Sequence, residues 1–162
     1  MTEAPSAGTT SAQDKPDAAP ARRSRAPQPR LADFPGQAFD TIRFGDTDKL
    51  GHVNNAVFST FLETGRAMLL LNKEAPIGPA GASFVIVRLA MDFRAEMMWP
   101  GQVQIGTRVC NIGRTSFGMD QAIFQDERCV ATAETVMVMF DTTQRRPMPL
   151  DENTIAALKR FT

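Results

Sequence analysis

The sequence predicts an α+β fold in which an antiparallel sheet curves around one long helix. One observation is a long run with the apolar spacing of a buried helix, from about Asn55 to Leu71. The other is a series of strand-like segments joined by short turns, from Ser83 to Phe140. Because these strands follow one another without intervening helices, they are expected to pair antiparallel, and the helix is expected to cover the apolar face of the sheet.

The first part of the chain is predicted to be a disordered tail, residues 1–37. It is rich in Ala, Pro, Ser, Thr and charged residues and has almost no large apolar side chains. Such a composition cannot bury enough surface to offset the entropy of ordering. The folded domain is therefore expected to span residues 38–162, with its first strand from Phe39 to Phe44.

The stretch that carries candidate chemistry lies between that strand and the helix. Asp46 and Asp48 open it, Gly51 and His52 form a turn, and a pair of asparagines leads into the helix. Either asparagine is a good N-cap, because its side chain can accept from a free amide of the first turn. The first turn of a helix also presents unpaired N–H groups and the positive end of the macrodipole.

This helix N-terminus can hold a carbonyl oxygen that becomes an anion in a transition state. The turn at Gly51 separates Asp48 from Asn55, so the Asp48 side chain can face the same point. A carboxylate in that position acts as a general base on water or as a nucleophile. The simpler interpretation of an Asp-x-Asp pair is turn chemistry, and Asp46 is expected to brace the loop. His52 is expected either to orient the loop or to act on the substrate.

The remaining elements follow from alternation and turn residues. In the segment Ser83–Arg94 the odd-numbered apolar residues, from Val85 to Phe93, are predicted to share one face of a strand. The loop before it, residues 75–82, is either a lid over a pocket or a plain connector. The other predicted elements are strands at Gln102–Ile112, Thr115–Gln125 and Arg128–Phe140 and a short helix from Asp151 to Phe161.

Composition excludes several classes of function. The 162 residues suit one domain, and the formal net charge of zero favours neither a nucleic acid nor an anionic membrane as a partner. No apolar run approaches the ~18 residues of a membrane span, and no signal peptide is visible, so a cytoplasmic protein is expected. Cys110 and Cys129 are expected to be reduced and buried. With one histidine and scattered carboxylates, neither a metal nor a cofactor is expected.

The run Asp-x-Asp-x-x-Gly-His-Val-Asn-Asn, followed in the helix by Phe61, Leu62, Glu63 and Arg66, resembles the 4-hydroxybenzoyl-CoA thioesterase family. That family comprises hotdog-fold acyl-CoA thioesterases. The resemblance implies that Asp48 is the catalytic carboxylate. It also implies that a backbone N–H near Asn55 polarises the thioester carbonyl. Phe58 stands where many relatives carry tyrosine, so any role of that hydroxyl is absent here.

The resemblance also implies partners. The substrate is expected to be an acyl-CoA, and the assembly a homodimer or tetramer in which two sheets join edge to edge and each site uses both chains. Arg114, with Thr115 and Ser116 beside it, is the first candidate for the CoA phosphates, and Asn54 and Phe58 are further substrate-binding candidates. The next basic candidates are Arg88, Arg94 and Lys49.

Two other functions remain open on the sequence alone. One is a non-catalytic protein that binds acyl thioesters or serves assembly on the same dimeric scaffold, because one fold supports many functions. The other is a hotdog-type hydratase acting on enoyl thioesters. The sequence also leaves open the acyl group, the choice between CoA and acyl carrier protein, and the role of Asp48 as base or nucleophile.

Overall fold

The computed structural model describes residues 28–162, so most of the predicted tail lies outside the described residues. The structure differs from the boundary predicted between residues 37 and 38. A short 3₁₀ helix at Leu31–Asp33 precedes the first strand, and that strand already begins at Gly36. Phe34 is buried against Phe124, so residues before the predicted first strand pack on the sheet, which alternation alone does not indicate.

Within the described residues, the strands form one antiparallel six-stranded sheet. The elements in chain order are β1 (Gly36–Ile42), α1 (Asn55–Leu70), β2 (Ala82–Phe93), β3 (Gly101–Cys110), β4 (Ser116–Gln125), β5 (Arg128–Asp141), β6 (Arg146–Pro147) and α2 (Glu152–Lys159). The spatial order is β1-β3-β4-β5-β2, and the short β6 pairs with the end of β5. The strands β1 and β2 therefore form the two edges of this sheet.

The long helix α1 packs across the sheet as predicted. Phe58, Phe61 and Leu62 on its buried face join a core cluster with residues of β3, β4 and β5. Gly65 lets the helix approach closely, and the Thr64 hydroxyl donates to Asp40 Oδ2 of β1 at 2.8 Å. These contacts fix the direction in which the N-terminus of α1 points.

One prediction about β2 is wrong. The register shifts between Ile86 and Arg88, so Val87 is an extra residue in a β-bulge and the faces exchange there. Phe84 contacts Phe117 before the bulge, whereas Leu89 packs on the core after it. Because Ile86 and Val87 are both apolar, the sequence pattern continues through the bulge and hides it.

The C-terminal helix α2 covers the other end of the core. Asp151 caps it, since the N–H of Thr154 donates to Asp151 Oδ1 at 2.7 Å, and Leu158 is buried in a second apolar cluster. Both cysteines are free; Cys129 is buried and Cys110 is partly buried. Among residues 28–162, no helix has the length and apolar character needed to cross a membrane.

Candidate active site

The loop before α1 is held by hydrogen bonds at both ends. The N–H of Arg43 donates to Asp46 Oδ2 at 2.7 Å, and the N–H of Asn54 donates to the Asp46 carbonyl at 2.8 Å. At the far side, the N–H of Val53 donates to the carbonyl of Met97 at 2.8 Å. Asp46 therefore braces the loop, and the segment after β2 anchors it.

Asp48 lies at the start of a tight turn that orients its carboxylate. Its Oδ1 accepts the N–H groups of Leu50 at 2.8 Å and His52 at 3.2 Å, and its own N–H donates to the carbonyl of His52 at 2.8 Å. Gly51 has φ +83°, a left-handed conformation that glycine adopts without strain. The turn therefore holds Oδ1, and the carboxylate itself is exposed.

The N-terminus of α1 completes the arrangement. Asn54 is the N-cap, and its Oδ1 accepts the N–H of Ala56 at 3.0 Å. Asn55 is the first helical residue, and helix geometry gives its N–H no acceptor within the helix. This amide therefore presents a fixed donor at the positive end of a 16-residue helix.

The predicted residues Asp48, His52, Asn55 and Phe58 line one pocket of about 330 Å³. Such a pocket can accept a thioester carbonyl beside both the carboxylate and the helix amide. The other lining residues are Val53, Phe93, Arg94, Ala95, Glu96 and Met97.

None of these six residues was predicted as part of the site core, and three of them make contacts that shape the pocket. Phe93 meets Phe58 edge to face at 5.1 Å between ring centroids, and Glu96 Oε2 lies 3.6 Å from Nε2 of His52. Arg94, which the sequence offered only as a secondary phosphate ligand, donates from Nε to the Thr132 hydroxyl at 2.9 Å. The one available signal was their place at the end of a strong strand pattern or just after it.

Other predicted site residues are not brought to this pocket within one chain. Arg114 and Thr115 lie in the turn between β3 and β4, and Ser116 is the first residue of β4. The carbonyls of Arg114 and Thr115 accept N–H groups of Leu150 and Met139. None of the three lines the pocket of Asp48. Asn54 does not line the pocket either, and its side chain caps α1 by accepting the N–H of Ala56.

The antiparallel sheet wrapped on one helix, with an acidic loop at the helix N-terminus, defines a hotdog-fold thioesterase. The predicted fold class is thereby confirmed. The chain belongs to the Thioesterase-like superfamily, whose family model matches residues 42–158. The predicted class of enzyme, a thioester hydrolase, is confirmed with it.

Individual relatives agree with this assignment. The chain is 27% identical over 127 residues to a 1,4-dihydroxy-2-naphthoyl-CoA hydrolase from Synechococcus elongatus, covering 75% of this chain and 92% of that protein. It is 29% identical to a thioesterase from Thermus thermophilus crystallised with coenzyme A and zinc, with a TM-score of 0.69, covering 78% of this chain and 92% of the other. A predicted thioesterase from Bacillus stearothermophilus is 25% identical, with a TM-score of 0.68 and coverages of 78% and 95%.

Proposed function

We propose that this protein hydrolyses an acyl-CoA thioester to the free acid and CoA. The observation that carries the proposal is the shared pocket of Asp48 and the first amide of α1, at Asn55. The CoA part is supported by the relatives, since one is named a CoA hydrolase and another was crystallised with coenzyme A.

In the proposed reaction, the thioester carbonyl accepts a hydrogen bond from the N–H of Asn55. Charge develops on that oxygen as the carbonyl carbon is attacked, so the helix amide binds the transition state better than the substrate. Removing one such donor in other enzymes lowers the rate by ~10²–10³. The bond between the carbonyl carbon and sulfur breaks, and the CoA thiolate takes up the proton that the attacking water has lost.

Asp48 supplies the attack by one of two routes. As a general base, its Oδ2 removes a proton from water while the water oxygen bonds to the carbonyl carbon, which typically contributes ~10²–10⁴ in rate. As a nucleophile, Asp48 forms a mixed anhydride that water hydrolyses afterwards. Label found in Asp48 after one turnover in ¹⁸O water would exclude the pure general-base route, because ¹⁸O enters this carboxylate only when water attacks the Asp48 carbonyl carbon of the anhydride.

His52 is proposed as a residue that sets the position of the carboxylate. Its backbone exchanges hydrogen bonds with Asp48, and its Nε2 lies 3.6 Å from Oε2 of Glu96, which lines the same pocket. Phe58 and Phe93 give the adjoining wall an apolar surface that suits the acyl group. Neither role needs a metal or a cofactor.

A second copy of the chain would account for the remaining predicted residues. The edge strand β2 has an unpaired side, and Val85, Ile86 and Val87 on it are exposed. Such an edge invites pairing with another strand. We assign Arg114 with Thr115 and Ser116 to the pocket of the partner in a homodimer or tetramer, where they would contact CoA.

The proposed function is tested by thiol release from short, long and aromatic acyl-CoAs, with a blank without substrate to subtract Cys110 and Cys129. Turnover of at least one member is expected. Tight binding of acyl-CoA without thiol release would contradict hydrolysis and favour a binding role. Loss of enoyl absorbance without thiol release would indicate a hydratase.

A further inference from the structure

A buried cation lies outside the proposed catalytic pocket. Arg66 of α1 is only 7% exposed, and among residues 28–162 it forms no ion pair. Burial lowers its pKa, while the charge of nearby Glu63 acts in the opposite direction. A buried guanidinium without a carboxylate is costly, because the charge loses its hydration and gains no counter-charge.

Within residues 28–162, the guanidinium of Arg66 has a single hydrogen-bond partner. Its Nη1 donates to Gln121 Oε1 at 3.0 Å. Gln121 is fixed in turn, since its Nε2 donates to the carbonyl of Leu62 at 2.9 Å and to the hydroxyl of Thr107 at 3.1 Å. A guanidinium has five N–H donors in a planar fork, so one neutral amide does not satisfy it.

Arg66 also lines a groove of about 140 Å³ between α1 and β2. Apart from Glu63 and Arg66, its walls are apolar, which suits a hydrocarbon chain that ends in a negatively charged group. The lining residues are Glu63, Arg66, Ala67, Leu70 and Leu71 of α1, Phe84 and Ile86 of β2, and Met137 of β5.

This groove and the pocket of Asp48 lie along the same two elements. Arg66 follows Asn55 by about three helical turns, which places it on nearly the same face of α1 and roughly 16 Å further along the axis. Helical side chains lean toward the N-terminus, so the guanidinium lies nearer to the pocket than its Cα does. Between the two sites, the partly buried Leu89 and Met91 of β2 pack on the core and provide apolar surface.

We propose that this groove receives the far end of the acyl group and that Arg66 binds a carboxylate there. The inference rests on the proposed function and adds a substrate class to it: thioesters of dicarboxylic acids whose chain spans less than the roughly 16 Å between Asn55 and Arg66 along the helix axis. Arg66 pairs with such a carboxylate by its fork of N–H donors, in a site where the charge is poorly screened.

The experiment compares decanoyl-CoA with the mono-CoA thioester of decanedioic acid, which differ only at the far end. The wild-type enzyme should prefer the dicarboxylic substrate by about tenfold to a hundredfold in kcat/KM, as expected for a hydrogen bond between charged groups. Arg66→Gln keeps an amide beside Gln121 and should reverse that preference. Arg108→Gln, at the surface pair with Asp120, should leave it unchanged.

A second variant keeps the test valid if Arg66→Gln does not fold. Glu63 is an exposed residue at the rim of the groove, and Glu63→Gln removes a negative charge that repels the substrate carboxylate. The preference for the dicarboxylic thioester should therefore increase in this variant.

Equal kcat/KM for the two substrates in the wild type would overturn the inference while leaving thioester hydrolysis in place. If Arg66→Gln weakens turnover of both substrates equally and dissociates the assembly, Arg66 pairs with a second copy instead. If no thioester is hydrolysed, the proposed function fails. The dissociation constants of the two thioesters then still test the groove, and equal values would contradict it.

Discussion

Gly65 shows how one residue without a side chain sets the position of α1. A Cβ at this position would lie 2.6 Å from Ile105 Cγ2 and 3.1 Å from Gln121 Nε2. Gly65→Ala should lower the free energy of unfolding by about 1–3 kcal/mol through overpacking, a loss that outweighs the ~1 kcal/mol gained in helix propensity.

Urea unfolding of Gly65→Ala measures this effect directly. The matched control is Gly45→Ala, because a Cβ at Gly45 would meet nothing within 4 Å. The control should be within about 0.5 kcal/mol of the wild type. Equal stability of both variants would show that α1 is not held this close to the sheet.

At the residue scale, the sequence predicted the part of the candidate site whose residues are close together in the chain. Asp48, His52 and Asn55 belong to one short run, so the turn and the cap bring them together. Glu96 and Arg94 reach the same pocket only because the loop pairs with residues that follow β2, through Val53 and His52. No local pattern encodes such a pairing.

At the scale of elements, the cap of α1 links stability to rate. Asn54→Ala removes the acceptor for the N–H of Ala56, which should cost about 0.5–2 kcal/mol of stability. It should also lower kcat, because the N–H of Asn55 loses its fixed direction. Thermal unfolding and thiol release measure the two effects.

Asn54→Asp separates the effect of the cap on stability from its effect on kcat. The carboxylate still caps the helix, so stability should be kept, but its charge opposes the developing oxyanion and kcat should fall. An Asn54→Asp variant with full activity would argue that the helix amide does not stabilise the transition state.

The cap of α2 gives a pH dependence. The N–H of Thr154 lowers the pKa of Asp151 below its usual value of 3.8. Because the carboxyl pKa is lower in the folded state than in the unfolded state, the ionised carboxylate stabilises the fold at pH values above the unfolded-state pKa. This stabilisation is lost as the pH falls through the folded-state pKa. Asp151→Ser keeps a cap without the titration.

Melting temperatures measured between pH 7 and pH 3 test the pH dependence that the Asp151 cap should give. The wild type should lose stability relative to Asp151→Ser as the pH falls through the acidic range. A difference between the two proteins that is constant with pH would rule out a contribution from the Asp151 carboxylate.

The elements themselves were largely predictable. Apolar spacing placed α1 within a residue of its observed end at Leu70, and alternation placed the main strands. The bulge at Val87 was not predictable, because an extra apolar residue does not disturb an apolar pattern. The early start at Gly36 depends on Phe34 packing against a distant strand.

At the scale of the whole molecule, the two sheet edges differ. The edge strand β2 has 12 residues and exposed apolar side chains, whereas β1 has 7 residues. If two copies join through β2, Val85→Lys should shift the protein toward the monomer, because charges oppose edge pairing. Phe39→Lys on β1 is the control and should not.

Light scattering after size exclusion gives the mass of each variant. Dissociation by Phe39→Lys and not by Val85→Lys would place the interface on the other edge.

The curled sheet around one helix followed from the order of elements in the sequence. The predicted assembly did not, because the partner surface is formed only after the chain has folded.

Asp48→Asn tests most directly whether the carboxylate of Asp48 performs the hydrolysis. Asparagine keeps the Oδ1 acceptor for the N–H groups of Leu50 and His52, so the loop should keep its form and the melting temperature should stay close to that of the wild type. We expect kcat for thiol release to fall by about 10²–10⁴. A folded Asp48→Asn variant that turns over acyl-CoA at the wild-type rate would contradict the account.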